Sequence, residues 1–164
     1  MVKSVQIVTK IRISKVGQFS MVSLELLNVD NWQEICRLSV SEEQKRYYPI
    51  PNVYWIGISR YEEHTELFAI KSESEYVGMM GCGFDEDGVS GYINPFMIDE
   101  KYQGNHYAEN ALTLCIKYLI KNLNVKVIHL GHRKVNVSAS KLYEKMGFGI
   151  VGEDEIDYFR EFKL

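Results

Sequence analysis

A chain of 164 residues, 46% hydrophobic and 25% charged, has enough apolar side chain to close one core and is neither disordered nor membrane-like in composition. Its formal charge of −3 gives no basic footprint for nucleic acid, and no stretch nears the roughly 20 apolar residues that a membrane-spanning helix needs. Three cysteines, Cys36, Cys82 and Cys115, stand far apart in apolar stretches without metal-ligand spacing, which predicts buried thiols in a reducing, cytoplasmic compartment and no metal.

The first twenty residues carry Lys3, Lys10, Arg12 and Lys15 and no acid, so all 22 acidic residues lie beyond them. They lack the continuous apolar core of a secretory signal and the arginines of a transit peptide. Residues 1–20 therefore read as an upstream extension, with the domain beginning near Met21; the alternation around Val5 to Ile13 leaves an added edge strand as the other reading. Residues 22–27 predict a strand, and Asp30 or Asn31 stands where a side-chain oxygen caps a helix over residues 32–38. Ser41 with Gln44 three residues later repeats the capping pattern for a second short helix, which Pro49 and Pro51 end. Residues 52–60 extend the helical region. Residues 65–71 and 76–84 predict strands joined by a hairpin turn at residues 72–75, and Asp85-Glu86-Asp87-Gly88 turns the chain into a strand ending at Ile98.

Behind that strand lies a tight loop, Asp99 to His106, and a run in which Ala108, Ala111, Leu112, Cys115, Leu119 and Leu123 recur at helical spacing. A small-residue loop entering a helix aims backbone N–H groups and the positive end of the helix dipole at one point, which suits a phosphate or pyrophosphate. The common nucleotide loops are absent: no Gly-Lys-Ser or Gly-Lys-Thr ends a glycine-rich run, and no Gly-x-Gly-x-x-Gly follows an early strand. Further on, residues 126–130 predict a short buried strand. Asn136 or Ser138 begins another helix that Gly147 stops, and residues 152–164 alternate as one closing strand. This order predicts a mixed sheet with helices on both faces.

Gln103, Tyr107 and Ala108 resemble the acetyl-coenzyme A loop of the GNAT family of N-acetyltransferases, Gln or Arg, two residues, Gly, one residue, Gly or Ala; His106 stands where the family has its first patterned glycine. Asn136, Ala139, Leu142-Tyr143-Glu144-Lys145 and Gly147-Phe148 resemble that family's second signature, in the right order after the loop. The resemblance implies the GNAT fold, a mixed and mostly antiparallel sheet with a splayed central strand pair. It implies acetyl-coenzyme A as cosubstrate, no metal, transfer to an amine in a ternary complex, and a possible homodimer. The backbone of Phe96, Met97 and Ile98 would receive the pantetheine arm, and Gln103, Gly104, Asn105, His106, Tyr107 and Ala108 would cradle the pyrophosphate. Asn136 would touch the pantetheine or adenosine side, Lys141 or Lys145 a ribose phosphate, and Tyr143 would serve as general acid.

The proton acceptor is left open among Glu42, Glu43, Asp85, Glu86 and Asp87, with Glu42 in the segment that walls the acceptor cleft in this family and Asp99 shaping the loop. The stretch from Leu27 to Gln44 is similar to the opening of bacterial diamine and polyamine acetyltransferases of the spermine/spermidine type, and the similarity runs from about residue 22 to the end. A polyamine acceptor would lie against Glu42, Glu43, Tyr47, Tyr48, Tyr54 and Trp55, carboxylates and aromatic faces that attract alkylammonium groups. Other amines, such as an aminoglycoside, an amino acid or a protein N-terminus, remain alternatives, as does a non-catalytic binding module whose His106 has spoiled the loop.

Overall fold

The computed structural model describes residues 22–164; the basic leader and the strand considered around Val5 to Ile13 lie outside the described residues. Alternating and helical hydrophobic periods sort the chain into β1 (Val22–Leu26), α1 (Trp32–Arg37), a 3₁₀ turn at Glu43–Arg46, α2 (Asn52–Ile58), β2 (Thr65–Ser72), β3 (Glu75–Phe84) and β4 (Ser90–Ile98). A second 3₁₀ turn at Glu100–Tyr102 leads to α3 (Tyr107–Asn122), β5 (Val127–Arg133), α4 (Val137–Lys145), β6 (Gly149–Glu153) and β7 (Asp157–Lys163). The strands form one sheet in the order β1-β2-β3-β4-β5-β7-β6, in which only β4 and β5 run parallel.

Helices cover both faces. On one, α3 and α4 bury Leu112, Cys115, Leu119 and Tyr143 against Phe68, Ile70, Met80 and Phe148. On the other, Ile35 of α1 packs with Ala69, Met79 and Met97, and Trp55 and Ile56 of α2 lie against them. Each fully buried Leu, Ile, Met or Phe contributes roughly 1.5–3 kcal/mol, so α3 is held by its apolar stripe. Cys82 and Cys115, buried and free, meet in the first of these cores, where the hydrogen bond with Cys115 first and burial second push the Cys82 thiol up.

Local signals act much as their chemistry requires. Ser41 Oγ accepts from Gln44 N–H at 3.3 Å while Gln44 Oε1 accepts from Ser41 N–H at 3.2 Å, a reciprocal capping box. At the end of α4, Gly147 takes φ +90°, Gly147 N–H reaches Glu144 O at 3.0 Å and Phe148 N–H reaches Tyr143 O at 2.9 Å, a Schellman stop.

Two expectations change. Asn31 is the N-cap of α1, but its side chain turns backward, accepting from Asn28 N–H and donating to Leu26 O, so it binds the preceding loop to β1 and leaves the helix N–H groups alone. The alternating tail is two strands: the Asp154 carboxylate accepts from the N–H groups of Ile156 and Asp157 at 2.8 and 2.7 Å, folding a turn between β6 and β7. β7 then inserts between β5 and β6.

What positions the site is the junction of β4 and β5. Only Ser90, Gly91 and Tyr92 pair with β5, opposite Val127, Ile128 and His129, after which the strands part. From Ile93 to Ile98, β4 keeps β3 on one edge and, among the described residues, no strand on the other. A bulge sits at the parting, where Asn94 and Pro95 together oppose Gly81. Proline supplies no N–H to a ladder, so a bulge is where it fits. Gly81 leaves the room: a Cβ there would lie 2.6 Å from Asn94 O and 2.8 Å from Pro95 Cδ.

Candidate active site

The loop after β4 is built by its own side chains. Buried Asp99 accepts from Lys101 N–H through Oδ1 at 3.1 Å and from Ser39 N–H through Oδ2 at 2.9 Å, tying the loop to the segment after α1. Gln103 donates to Ile98 O at 2.9 Å and shares a reciprocal amide pair with Gln44, 2.9 Å in each direction. Asn105 donates to Tyr102 O and Gln103 O. Gly104 takes φ +81° and His106 φ +60°, so the histidine that stands where the family has its first patterned glycine is held in the left-handed region. The first helical bond of α3 runs from Asn110 N–H to His106 O, which leaves the N–H groups of Tyr107, Ala108 and Glu109 without an intrahelical acceptor at the positive end of a 16-residue helix.

The imidazole of His106 is 78% exposed and stands 3.6 Å from Glu109 Oε2, over the first turn of the helix. Lys145 Nζ holds the same carboxylate at 2.6 Å. This ammonium, more than His106, keeps Glu109 below the usual carboxylate range. Lys145 thus neutralises an acid that would otherwise face any anion at the loop.

Where β4 and β5 part, a cleft of about 1150 Å³ opens, lined from both faces of the sheet. It brings together Phe96, Met97, Ile98, Gln103, Gly104, His106, Tyr107, Ala108, Asn136 and Tyr143. Asn105, Lys141 and Lys145 are not among its lining residues. Asn136 also caps α4, its Oδ1 accepting from Ala139 N–H at 3.1 Å.

On the α4 side of the cleft, Tyr143 is 7% exposed and packs against His132 and Phe148 with ring centroids 5.4 and 6.0 Å away. Burial pushes its phenol well above the ordinary value, and Arg160 pulls in the opposite direction. Arg160, on β7, is 4% exposed; its Nε donates to His132 Nε2 at 2.9 Å, and its terminal nitrogens donate to Phe148 O and Ser140 Oγ, both at 2.8 Å. His132 Nδ1 pairs with Arg133 O at 3.0 Å, so the ring is the neutral Nδ1–H tautomer, and burial first and Arg160 second hold its pKa down.

On the opposite side, His129 lies beside Tyr92 at the last paired register, with its Nδ1 3.9 Å from Glu161 Oε2. Lys163 holds the other oxygen of that carboxylate at 2.8 Å. His129 also lines the cleft, and with its side chain 40% exposed it can pass a proton to water.

A second hollow of about 410 Å³ shares Trp55, Tyr92 and Asn94 with the cleft and is bordered by Glu62, Glu63, Asp85 and Glu86. The indole N–H of Trp55 is buried there without a hydrogen-bond partner among the described residues. Glu42 and Glu43 line neither hollow: they pair with Lys45 and Arg46 on the exposed 3₁₀ turn. Tyr54 is exposed and also lies outside both, whereas Tyr47 and Tyr48 line the cleft. Asp87 serves its turn, accepting from the N–H groups of Val89 and Ser90 and from the Ser90 hydroxyl; the backbone bonds hold it low.

Reasoning from sequence passed over His129, Arg160, Glu62 and Glu63 as site residues. For His129 and Arg160 the available signal was a polar residue at an alternate position in an apolar strand, which is what a strand beside a cleft requires; Glu62 and Glu63 lie in the turn before β2 and carried no such signal.

Residues 28–148 match the family described as Acetyltransferase (GNAT) family. The chain is 28% identical over 138 residues to the spermine/spermidine N(1)-acetyltransferase of Bacillus subtilis (strain 168), covering 80% of this chain and 90% of that protein. Its fold is similar to that of spermidine N-acetyltransferase from Vibrio cholerae in complex with CoA and spermine, with a TM-score of 0.73 at 17% identity over 87% of this chain and 95% of that one. It is also similar to Campylobacter jejuni N-acetyltransferase PseH in complex with acetyl coenzyme A, with a TM-score of 0.66 at 18% identity over 87% and 98% of the two chains.

Proposed function

The chain belongs to the GNAT acetyltransferase family and is an acyltransferase, and from that premise we propose that it transfers an acetyl group from acetyl-coenzyme A to a primary amine of a polyamine such as spermidine or spermine. The observation that carries this reading is the parting of β4 from β5, because one continuous cleft joins the anion-receptive start of α3 to a buried phenol and to an acidic hollow beyond.

Acetyl-coenzyme A fits the residues present. The unpartnered edge of β4 at Phe96 and Met97 offers backbone groups to an amide-bearing arm, while the Ile98 carbonyl is already taken by Gln103. The N–H groups of Gln103, Gly104, His106, Tyr107 and Ala108, which line the cleft, would receive the pyrophosphate, Gly104 leaves open space beside it, and Lys145 quenches Glu109. Lys141, exposed on α4, is placed for a ribose phosphate only by long-range attraction.

Bound here, the thioester supplies an activated acyl carbon. The chain holds the two proton-handling groups on opposite faces of the parted strands. Tyr143 donates a proton to the departing sulfur, and its burial keeps it protonated throughout the physiological range. His129, with the Glu161 carboxylate 3.9 Å away, takes the proton from the incoming ammonium and passes it to solvent. Glu42 serves this purpose less well, because it lies outside the cleft and is neutralised by Lys45.

The further ammonium groups of a polyamine lie against Glu62, Glu63, Asp85 and Glu86, with Trp55 and Tyr92 as apolar and π-bearing walls for the methylenes. The 28% relative supports the same acceptor class. An amine panel read by release of free thiol tests the assignment: kcat/KM for spermidine is expected to exceed that for propylamine at least tenfold. Equal values for the two would remove the polyamine assignment while leaving acetyl transfer intact.

A further inference from the structure

Arg160 poses a problem that the proposed function does not yet use. It is 4% exposed, and an arginine cannot shed its proton in a protein. A buried charge is ordinarily paired with an opposite one, since removing an ion from water costs several kcal/mol. Yet every partner of Arg160 is neutral: an imidazole nitrogen, a carbonyl and a hydroxyl. Among the described residues no carboxylate stands within ion-pair distance of it.

Its three bonds use three of the five guanidinium N–H groups. The remaining two have no acceptor among the described residues, and Arg160, with His132 and Tyr143, lines the cleft. Leu130 and His132 of β5 and Arg160 of β7 sit on the sheet face that α4 covers, so cation and phenol share one enclosed wall.

We propose that Arg160 is a fixed countercharge for the sulfur anion released in the cleft, a role that rests on the acetyl-transfer reading. As the amine nitrogen bonds to the acetyl carbon, the carbon–sulfur bond breaks and its electron pair goes to sulfur. The Tyr143 hydroxyl then gives that sulfur its proton, the acylated nitrogen sheds its remaining extra proton to solvent, and solvent returns a proton to the phenolate. Arg160 stays protonated throughout and stabilises whichever of the two atoms carries the charge. The geometry is fixed in advance, because His132 of β5, Ser140 of α4 and Phe148 beyond the Gly147 stop each hold one edge of the guanidinium. A charge placed this way acts on the departing group more than on the neutral thioester, so its effect falls on kcat.

The test is the affinity of free coenzyme A from pH 7 to pH 10, by calorimetry, beside desulfo-coenzyme A. A site carrying a countercharge lowers the pKa of the bound thiol, so coenzyme A tightens as pH rises toward the free thiol pKa, whereas desulfo-coenzyme A has no thiol to ionise. The charged groups and histidines around the cleft are His106, Glu109 with its partner Lys145, His129, Glu161, Asp157 and Arg133, and the phenols facing it are Tyr47, Tyr48, Tyr92, Tyr102, Tyr107 and Tyr143; they meet both ligands alike and cancel in the ratio. His132 adds no charge in that window, since both ring nitrogens are engaged and its pKa is held down.

The expected result is at least a fivefold gain of coenzyme A over desulfo-coenzyme A across the range. Arg160→Gln should lose this gain and at least tenfold in kcat, with acetyl-coenzyme A affinity within threefold, and Arg160→Lys should recover most of both. Circular dichroism checks that each variant is folded, and the wild-type ratio decides the matter even where Arg160→Gln is not. A flat wild-type ratio would overturn the countercharge, as would equal losses in the Gln and Lys variants, which mark a purely structural tie. Failure of both ligands to bind at any pH would overturn the acetyl-transfer reading itself.

Discussion

Replacing Tyr143 by Phe removes a single oxygen from the cleft, and the structure separates its two consequences. The ring keeps its contacts with His132 and Phe148, and among the described residues the hydroxyl has no hydrogen-bond partner. Loss of one hydroxyl without a protein partner should therefore change stability by less than about 1 kcal/mol. A positioned general acid contributes roughly 10²–10⁴-fold, which is about 3–5 kcal/mol of barrier. Initial rates with acetyl-coenzyme A and spermidine, read by thiol release, should thus fall at least a hundredfold in kcat, while calorimetry gives an unchanged cofactor affinity and the melting point barely moves. A kcat within twofold of wild type would refute the role of Tyr143. A large stability loss would show instead that the hydroxyl is part of the core.

Other substitutions probe the surrounding construction. Gly81→Ala drives a methyl group into Asn94 O, Leu67 Cδ2 and Pro95 Cδ at 2.6–2.8 Å; the overpacking costs about 1–3 kcal/mol. Its melting temperature should fall by several degrees and kcat with it, and an unchanged melting curve would mean that the bulge yields freely. His106→Gly relieves a left-handed residue whose ring is exposed, so acetyl-coenzyme A affinity should stay within threefold; a tenfold loss would make the imidazole a contact. Lys145→Met should weaken acetyl-coenzyme A several-fold by releasing the Glu109 charge, and adding Glu109→Gln should restore it. Failure of that rescue would assign Lys145 a direct phosphate contact. Because Lys145 lowers the Glu109 pKa, the pair's small stabilisation is present above the ordinary carboxylate pKa and disappears as pH falls through the lowered one, a dependence that Lys145→Met should abolish in acid melts.

Much of this was legible in sequence because it rests on short-range chemistry. Ser41 with Gln44 and Gly147 with Phe148 specify helix ends through bonds to their own neighbours, and the period of residues 107–122 specifies a half-buried helix. Turn chemistry was legible but unread at Asp154, whose carboxylate divides the tail into two strands. Pro95 was a similar sign, since a proline in a central strand calls for a bulge. The placing of β7 between β5 and β6 has no local signature, because register between distant strands is decided only when the sheet assembles. For the same reason His129, Glu161 and Arg160 could not be joined to Tyr143 in advance. Glu42 and Glu43 were drawn toward the site by analogy, while the basic residues three positions on already tied them into an exposed turn.

The central claim is that the cleft opened by β4 and β5 binds acetyl-coenzyme A although His106 replaces a patterned glycine. The most direct measurement is a thermal-shift titration of the purified protein with acetyl-coenzyme A beside free coenzyme A. A ligand that binds only the native state adds about 2.7 kcal/mol at 100 times its dissociation constant, so a rise of several degrees that saturates with ligand is the predicted result. No shift with either ligand at millimolar concentration would contradict the account, leaving an acetyltransferase fold whose loop no longer takes its donor.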